Sequence, residues 1–162
     1  LNRSSDLDLK DFLGMFFRGA KTMGVLPYDT SDAMAVDVTP IDQASHVVAD
    51  IIQSGNPGVY HIASEHPLNY NHLCKLMQRE GVISDIVDYN QWLPRTDRFA
   101  ENADVQALRM ALCRMDATLF SQMRYMDLFQ TTNIRFDMAN THATTRQRCS
   151  YDDELIRLYI LQ

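Results

Sequence analysis

The chain has 162 residues, is 46% hydrophobic and carries a net charge of −6 at pH 7, enough for one domain with its own core. No face-long cluster of Lys or Arg is present to meet a phosphate backbone, so nucleic acid is not expected as a partner. No apolar run is long enough to cross a bilayer and no basic-then-apolar start marks a signal peptide, so no membrane partner is expected and the cytoplasm is the expected location.

Ser5 or Asp6 is placed to cap a first helix whose apolar residues Leu9, Phe12, Leu13, Phe16, Ala20 and Met23 keep helical spacing. Gly24 stops it and Pro27 prevents continuation, with Tyr28–Asp32 as a polar loop. The stretch Ala35–Val38 then reads as a strand. Thr39 is an N-cap, Pro40 a first helical residue and Asp42 the acid of a capping box. The following helix is expected to bury Ile41, Ala44, Val48, Ile51 and Ile52, and the turn cluster Gln53–Gly58 releases the chain into a strand, Val59–Ala63. Strand, helix and strand together read as the closing crossover of a parallel sheet covered on both faces.

After His66-Pro67 the pattern turns mostly helical. Asn69 caps a helix through Leu73, Leu76 and Met77, which Gly81 ends, and Ile83–Val87 suits a short edge strand. Asp88 caps a small helix carrying Trp92, closed by Pro94. From Asn102 to about Phe129 the residues Val105, Leu108, Leu112, Met115, Leu119, Met123 and Met126 predict one long helix, or two with a break near Asp116. Residues 131–149 are polar, with an extended piece at Ile134–Phe136. Ser150 and Asp153 cap a last helix holding Leu155, Ile156, Leu158, Tyr159 and Leu161. The predicted fold is a mostly helical α/β remnant: a few parallel strands from the end of a Rossmann-like sheet, then a helical C-terminal lid.

The residues bearing on chemistry are notable for what they do not form. The six glycines, 14, 19, 24, 55, 58 and 81, never make a Gly-x-Gly-x-x-Gly loop, which a dinucleotide fold uses to bring backbone amides against a pyrophosphate. The five histidines, 46, 61, 66, 72 and 142, do not repeat zinc-ligand spacings, and no metal site is assigned. Cys74, Cys113 and Cys149 are odd in number and widely spaced, as in a reducing compartment, and none has a neighbouring His or basic helix start to activate it. Asp37 lies in an apolar strand and calls for a partner if buried. Met110, Met115, Met123 and Met126 at helical spacing suit core packing, with a substrate channel as the sharper alternative. Tyr89 and Trp92 are candidates to touch an acyl or pantetheine arm, so the substrate-channel candidates are Tyr89, Trp92 and Met123. The start, Leu1-Asn2-Arg3, reads as a fragment boundary.

Three blocks carry a family resemblance: Asp6…Phe12…Gly24-Val25-Leu26-Pro27, then Val36-Asp37-Val38-Thr39-Pro40-Ile41-Asp42, then Gly58-Val59-Tyr60-His61-Ile62-Ala63 with His66-Pro67-Leu68. Gly81 followed by Tyr89-Asn90-Gln91-Trp92-Leu93, then Phe136-Asp137-Met138-Ala139-Asn140-Thr141, and Asp152-Asp153-Glu154-Leu155 with Tyr159, extend it over nearly the whole chain. It resembles the C-terminal part of the thioester reductase domains that end nonribosomal peptide synthetases and carboxylic acid reductases, which are extended short-chain dehydrogenases/reductases. The resemblance implies residues 1–66 as the last strand–helix–strand units of the sheet and 67–162 as a helical, substrate- and carrier-facing subdomain. It implies a parent that uses NADPH and an acyl or peptidyl carrier protein with its phosphopantetheine arm.

The family's chemistry rests on a Gly-rich loop and a Tyr-x-x-x-Lys pair, and neither is here. Tyr28, Tyr60 and Tyr89 are followed four residues later by Asp32, Ser64 and Leu93, and Tyr70 has Lys75 one residue too far on. No catalytic, cofactor-binding or metal residue is therefore assigned, and the chain alone is expected to be inactive. Two alternatives stand beside the reductase. One is the C-terminal part of a nucleotide-sugar or fatty acyl enzyme of the same superfamily; the other is a carrier-binding module without chemistry. A bare strand edge at Ala35–Val38 leads to an expectation of self-association.

Overall fold

A computed structural model describes residues 12–113 and 136–161. Helix α1 (Phe12–Met23) turns Phe16, Ala20 and Met23 inward, as its spacing predicts. It lies along α5 (Ala103–Leu112), which contributes Val105, Leu108, Ala111 and Leu112 to the same core. The two helices approach so closely that a Cβ at Gly19 would stand 2.5 Å from the Asp104 carbonyl oxygen. One residue earlier, Arg18 grips the Asp104 carboxylate with two hydrogen bonds of 3.0 Å. Gly24, at φ 67°, ends α1 in the left-handed region that a side chain resists.

The chain then enters a strand the sequence did not reveal. β1 (Val25–Pro27) pairs in parallel with β4 (Asp85–Val87), Val25 opposite Asp85 and Pro27 opposite Val87. Three residues are too few for any periodic signal, and Pro27 reads as a breaker. Between them, α3 (Tyr70–Arg79) starts where expected, its first turn capped by Asn69, whose side chain accepts from the His72 amide at 2.9 Å. Helix α4 (Tyr89–Thr96) is capped by Asp88, which accepts from the Asn90 amide. It does not stop at Pro94: it runs on to Thr96 and tightens into a 3₁₀ turn, Asp97–Phe99. Helix α5 ends at Leu112, before the expected break near Asp116, because Cys113 is already extended. The rest of the segment predicted to be helical, with Met115, Met123 and Met126, lies outside the described residues, as do the predicted caps Ser5 and Asp6 and residue Ile134.

The loop between β1 and β2 (Ala35–Val36) is organised by a buried carboxylate. Asp29 is 3% exposed. Its oxygens accept from the Met34 amide at 2.9 Å and the Ser31 hydroxyl at 2.9 and 3.0 Å. Buried Asn71 completes the knot, accepting from the Asp29 amide and donating to the Asp29 carbonyl and the Asp32 carboxylate. Each buried polar group thus keeps a partner. The knot fixes α3 against the loop.

β2 departs from expectation. It pairs antiparallel with β3 (Leu68–Asn69), not in parallel with Val59–Ala63. Residues 59–63 belong to no ladder among the described residues; a single parallel bridge joins Ser64 to Cys149. A strand exists only where a neighbour takes up its amides and carbonyls, and the pattern along one segment does not name that neighbour. Asp37, which would have needed a partner if buried, is exposed. The whole is a mostly helical α/β remnant with one short parallel pair, of the kind that ends a Rossmann-like sheet.

Helix α2 (Ile41–Ser54) is present where predicted but begins and faces differently. Its flanking residue is Pro40, with no side-chain cap; Thr39 is turned away to another task. Ile41, Val48 and Ile52, predicted to be buried, are 76%, 41% and 73% exposed, whereas Val47 is 1% exposed. The last helices are α6 (Ala139–Thr144) and α7 (Asp153–Ile160). Asp152, not Ser150, caps α7 by accepting from the Leu155 amide, while the Ser150 amide donates to Gln43 on α2. Within α7, Ile156 and Ile160 are buried; Leu158 and Leu161 face out.

Candidate functional site

Two regions bear on function: the helical face around Tyr89 and Trp92, and the junction where β2, α2, residues 58–64 and α6 meet. In the first, Trp92 is wholly buried, its ring 5.9 Å from that of half-buried Tyr89 at 40°. Trp92 is therefore a core residue as the chain stands, and its Nε1 finds no hydrogen-bond acceptor among the described residues. Tyr70, the tyrosine nearest a lysine in sequence, is also interior: its hydroxyl donates to the Pro27 carbonyl at 3.0 Å. Beside it, burial pushes the Cys74 thiol up to about 12, so it holds its proton at neutral pH. Burial also raises the Cys149 thiol, with the Asp37 carboxylate adding to the effect. Neither thiol is prepared as a nucleophile.

The junction is stitched by polar side chains. Thr39 Oγ1 accepts from the Ser64 amide at 3.1 Å, and the Ser64 hydroxyl donates to the Val38 carbonyl, so the ends of β2 and of residues 59–63 are tied together. Thr39 does this in place of capping α2. On the other side, Asn140 donates to the Val59 carbonyl at 3.0 Å and Thr141 to the His61 carbonyl at 2.7 Å. His61 Nδ1 lies 3.1 Å from the Asp137 carbonyl, which fixes it as the protonated nitrogen, and its ring packs 5.2 Å from Phe136. Thr145 donates to Asp50 on the inner side of α2. These partners come from 76 to 95 residues away in the chain, and nothing local in sequence signals them.

The histidines scatter. His72 meets Asp153 at 2.8 Å, His142 lies 4.0 Å from Glu65, and His46 and His66 are exposed. No group of three or more His, Cys, Asp or Glu among the described residues is arranged to hold a metal ion. Among the described residues, one amide in the first turn of each of α3, α4, α5 and α7 donates to the side chain of Asn69, Asp88, Asn102 and Asp152 respectively. At α2, Pro40 flanks the first turn and Asp42 lies in it. A crevice between Phe17, Val36, Val38, Leu68, Ile156 and Tyr159 holds about 10 Å³, room for no more than one water.

Among the described residues, no helix is long and apolar enough to cross a membrane. The element order, the short parallel pair and the helical C-terminal part define the class by fold: the tail of a Rossmann-like sheet with a helical subdomain. Among solved structures, the chain is similar to the terminal R domain from the myxalamid PKS-NRPS biosynthetic pathway, with a TM-score of 0.63 and 21% identity. The match covers 95% of this chain and 38% of that one. No protein-family model and no curated protein matches the sequence. The likeness establishes the fold, and the chain spans well under half the length of the domain it resembles.

Proposed function

We infer that this chain is the C-terminal, substrate- and carrier-facing part of an NADPH-dependent terminal thioester reductase, which releases a carrier-bound acyl or peptidyl chain as an aldehyde or alcohol. The observation that carries the reading is the fold match to a terminal R domain over 95% of the chain. In the reaction, hydride from NADPH adds to the thioester carbonyl carbon. The phosphopantetheine sulfur leaves as a thiolate and takes up a proton, giving aldehyde and NADP⁺; a second hydride and a proton give the alcohol. In this reading residues outside this chain supply the hydride site, because its sequence carries neither the Gly-rich loop nor the Tyr-x-x-x-Lys pair. Its helices shape access for the acyl chain and the carrier arm, with Tyr89 and Met123 as channel residues and the buried Trp92 packed behind Tyr89. Met123 lies outside the described residues.

The test measures NADPH oxidation against an acyl-pantetheine thioester, with the complete natural polypeptide and with the 162-residue chain. Turnover by the first and none by the second is the expected result. No turnover by the complete polypeptide, with any thioester or carrier, sinks the reading. The absence of a Gly-rich loop and of Tyr-x-x-x-Lys favours a second reading, a carrier-binding module without chemistry. That module would bind acyl carrier protein and oxidise no NADPH in either form.

A further inference from the structure

His61 is held in one tautomer, and the nitrogen this leaves bare has no task in the packing. In the neutral ring Nδ1 carries the proton, because its partner at 3.1 Å is the Asp137 carbonyl, which only accepts. Nε2 therefore presents a lone pair, and it meets no donor among the described residues. The half-buried ring packs 5.2 Å from Phe136, and the Thr141 hydroxyl holds the His61 carbonyl at 2.7 Å. Anchoring one imidazole nitrogen on a backbone carbonyl aims the other at whatever it is to bind.

Two more acceptors come from the residues that anchor this segment. Asn140 uses its amide N–H on the Val59 carbonyl at 3.0 Å, and its Oδ1 has no donor among the described residues. Asp137 Oδ1 accepts from the Ala139 amide at 2.9 Å, and its Oδ2 has no donor there either. The cations that follow in the chain, His142 and Arg148, face Glu65 instead. Exposed apolar side chains flank the acceptors: Phe136 against the His61 ring, and Val59 behind the carbonyl that Asn140 holds.

Lone pairs with no cation beside them repel phosphate and carboxylate, and apolar flanks suit methylenes. The group that matches is an N–H donor set in an aliphatic chain. We propose that His61 Nε2, with Asn140 Oδ1 beside it in the same junction, is an acceptor site for a secondary amide whose aliphatic neighbours lie on Phe136 and Val59. The amide's source rests on the reductase reading: pantetheine carries two secondary amides between short aliphatic stretches, so the junction binds the carrier arm at a place distinct from Tyr89. A protonated alkylamine also donates N–H, but the one carboxylate here, Asp137, is exposed, where it attracts a cation only weakly.

NMR of the imidazole nitrogens in the 162-residue chain, titrated with pantetheine, tests the proposal. The expected result is a saturable displacement of the His61 Nε2 resonance while Nδ1 stays tied to Asp137. His61→Asn keeps a donor for the Asp137 carbonyl and removes the acceptor, so it should weaken binding about tenfold, the scale of one lost hydrogen bond. His61→Gln places an amide oxygen within reach of the Nε2 position and should restore binding to within about threefold. An unmoved Nε2 resonance, or equal binding by His61→Asn, overturns the proposal. So does tighter binding of n-butylamine or of inorganic phosphate than of pantetheine. NADPH oxidation by the complete natural polypeptide separates the two ideas. Nε2 displacement without oxidation leaves the amide site standing and removes the reductase reading. Oxidation whose KM for an acyl-pantetheine is unchanged by His61→Asn removes the site and leaves the reductase.

Discussion

The region around α1, α3, α4 and α5 and the region around α2 and α6 are built from the same residue types and solve opposite problems. In the first, apolar stripes from four helices and two short strands meet in one core, with Trp92, Tyr70, Leu73 and Leu108 almost fully enclosed. In the second, the stripe of α2 faces water and the helix is held by side-chain hydrogen bonds from residues 141–150. The contrast teaches that amphipathicity states how much surface a helix must cover, and that only the surrounding chain decides which side is covered. The first region encloses its apolar stripes; the second leaves Ile41, Val48 and Ile52 exposed.

Substitutions sharpen this contrast, the largest effect first. Trp92→Ala should cost about 3–5 kcal/mol, the range for emptying a large aromatic site in a core, measured by urea unfolding. A loss under about 1 kcal/mol, the level of a surface change, would mean the core is not shared among these helices. Asn71→Leu should cost about 2–3 kcal/mol, because it removes the Asn71 hydrogen bonds to the buried Asp29 amide, the Asp29 carbonyl and the Asp32 carboxylate. Unchanged stability would show that the loop knot contributes nothing to α3 docking.

Adjacent residues on α2 then test its facing directly. Val47→Ala should cost about 2 kcal/mol as a buried truncation, and Val48→Ala should stay within about 0.5 kcal/mol. The reverse order of melting temperatures would restore the facing that the sequence pattern suggests. Thr39→Ala should cost about 1 kcal/mol through loss of one hydrogen bond, with faster exchange at the Ser64 amide. Faster exchange confined to the first turn of α2 would instead make Thr39 a cap.

The smallest effect is a pH dependence. The Arg157 guanidinium hydrogen-bonded to Glu80 at 2.8 Å lowers the carboxyl's pKa below its ordinary value, with Arg79 adding to the effect. A carboxyl with a depressed folded-state pKa contributes stability above its unfolded pKa and loses it as pH falls through the folded value. Arg157→Leu should therefore flatten the acid side of the stability profile and leave the neutral and alkaline sides parallel to the wild type. A parallel acid limb would show that this exposed pair contributes nothing.

Much of this protein was legible in its residues. Helix positions followed from apolar spacing, and Asn69, Asp88 and Gly24 marked boundaries because capping and left-handed turns depend on one residue and its immediate neighbours. The α/β remnant with a helical tail followed from the same local patterns. What the tertiary structure decided was everything that depends on distant partners. It set the pairing of β2 with β3, the strand at Val25–Pro27, the recruitment of Thr39 to Ser64 and the burial of Val47 over Val48. Sheet hydrogen bonds and helix facing are fixed by whichever segment arrives opposite, and a segment's own residues carry no address for it.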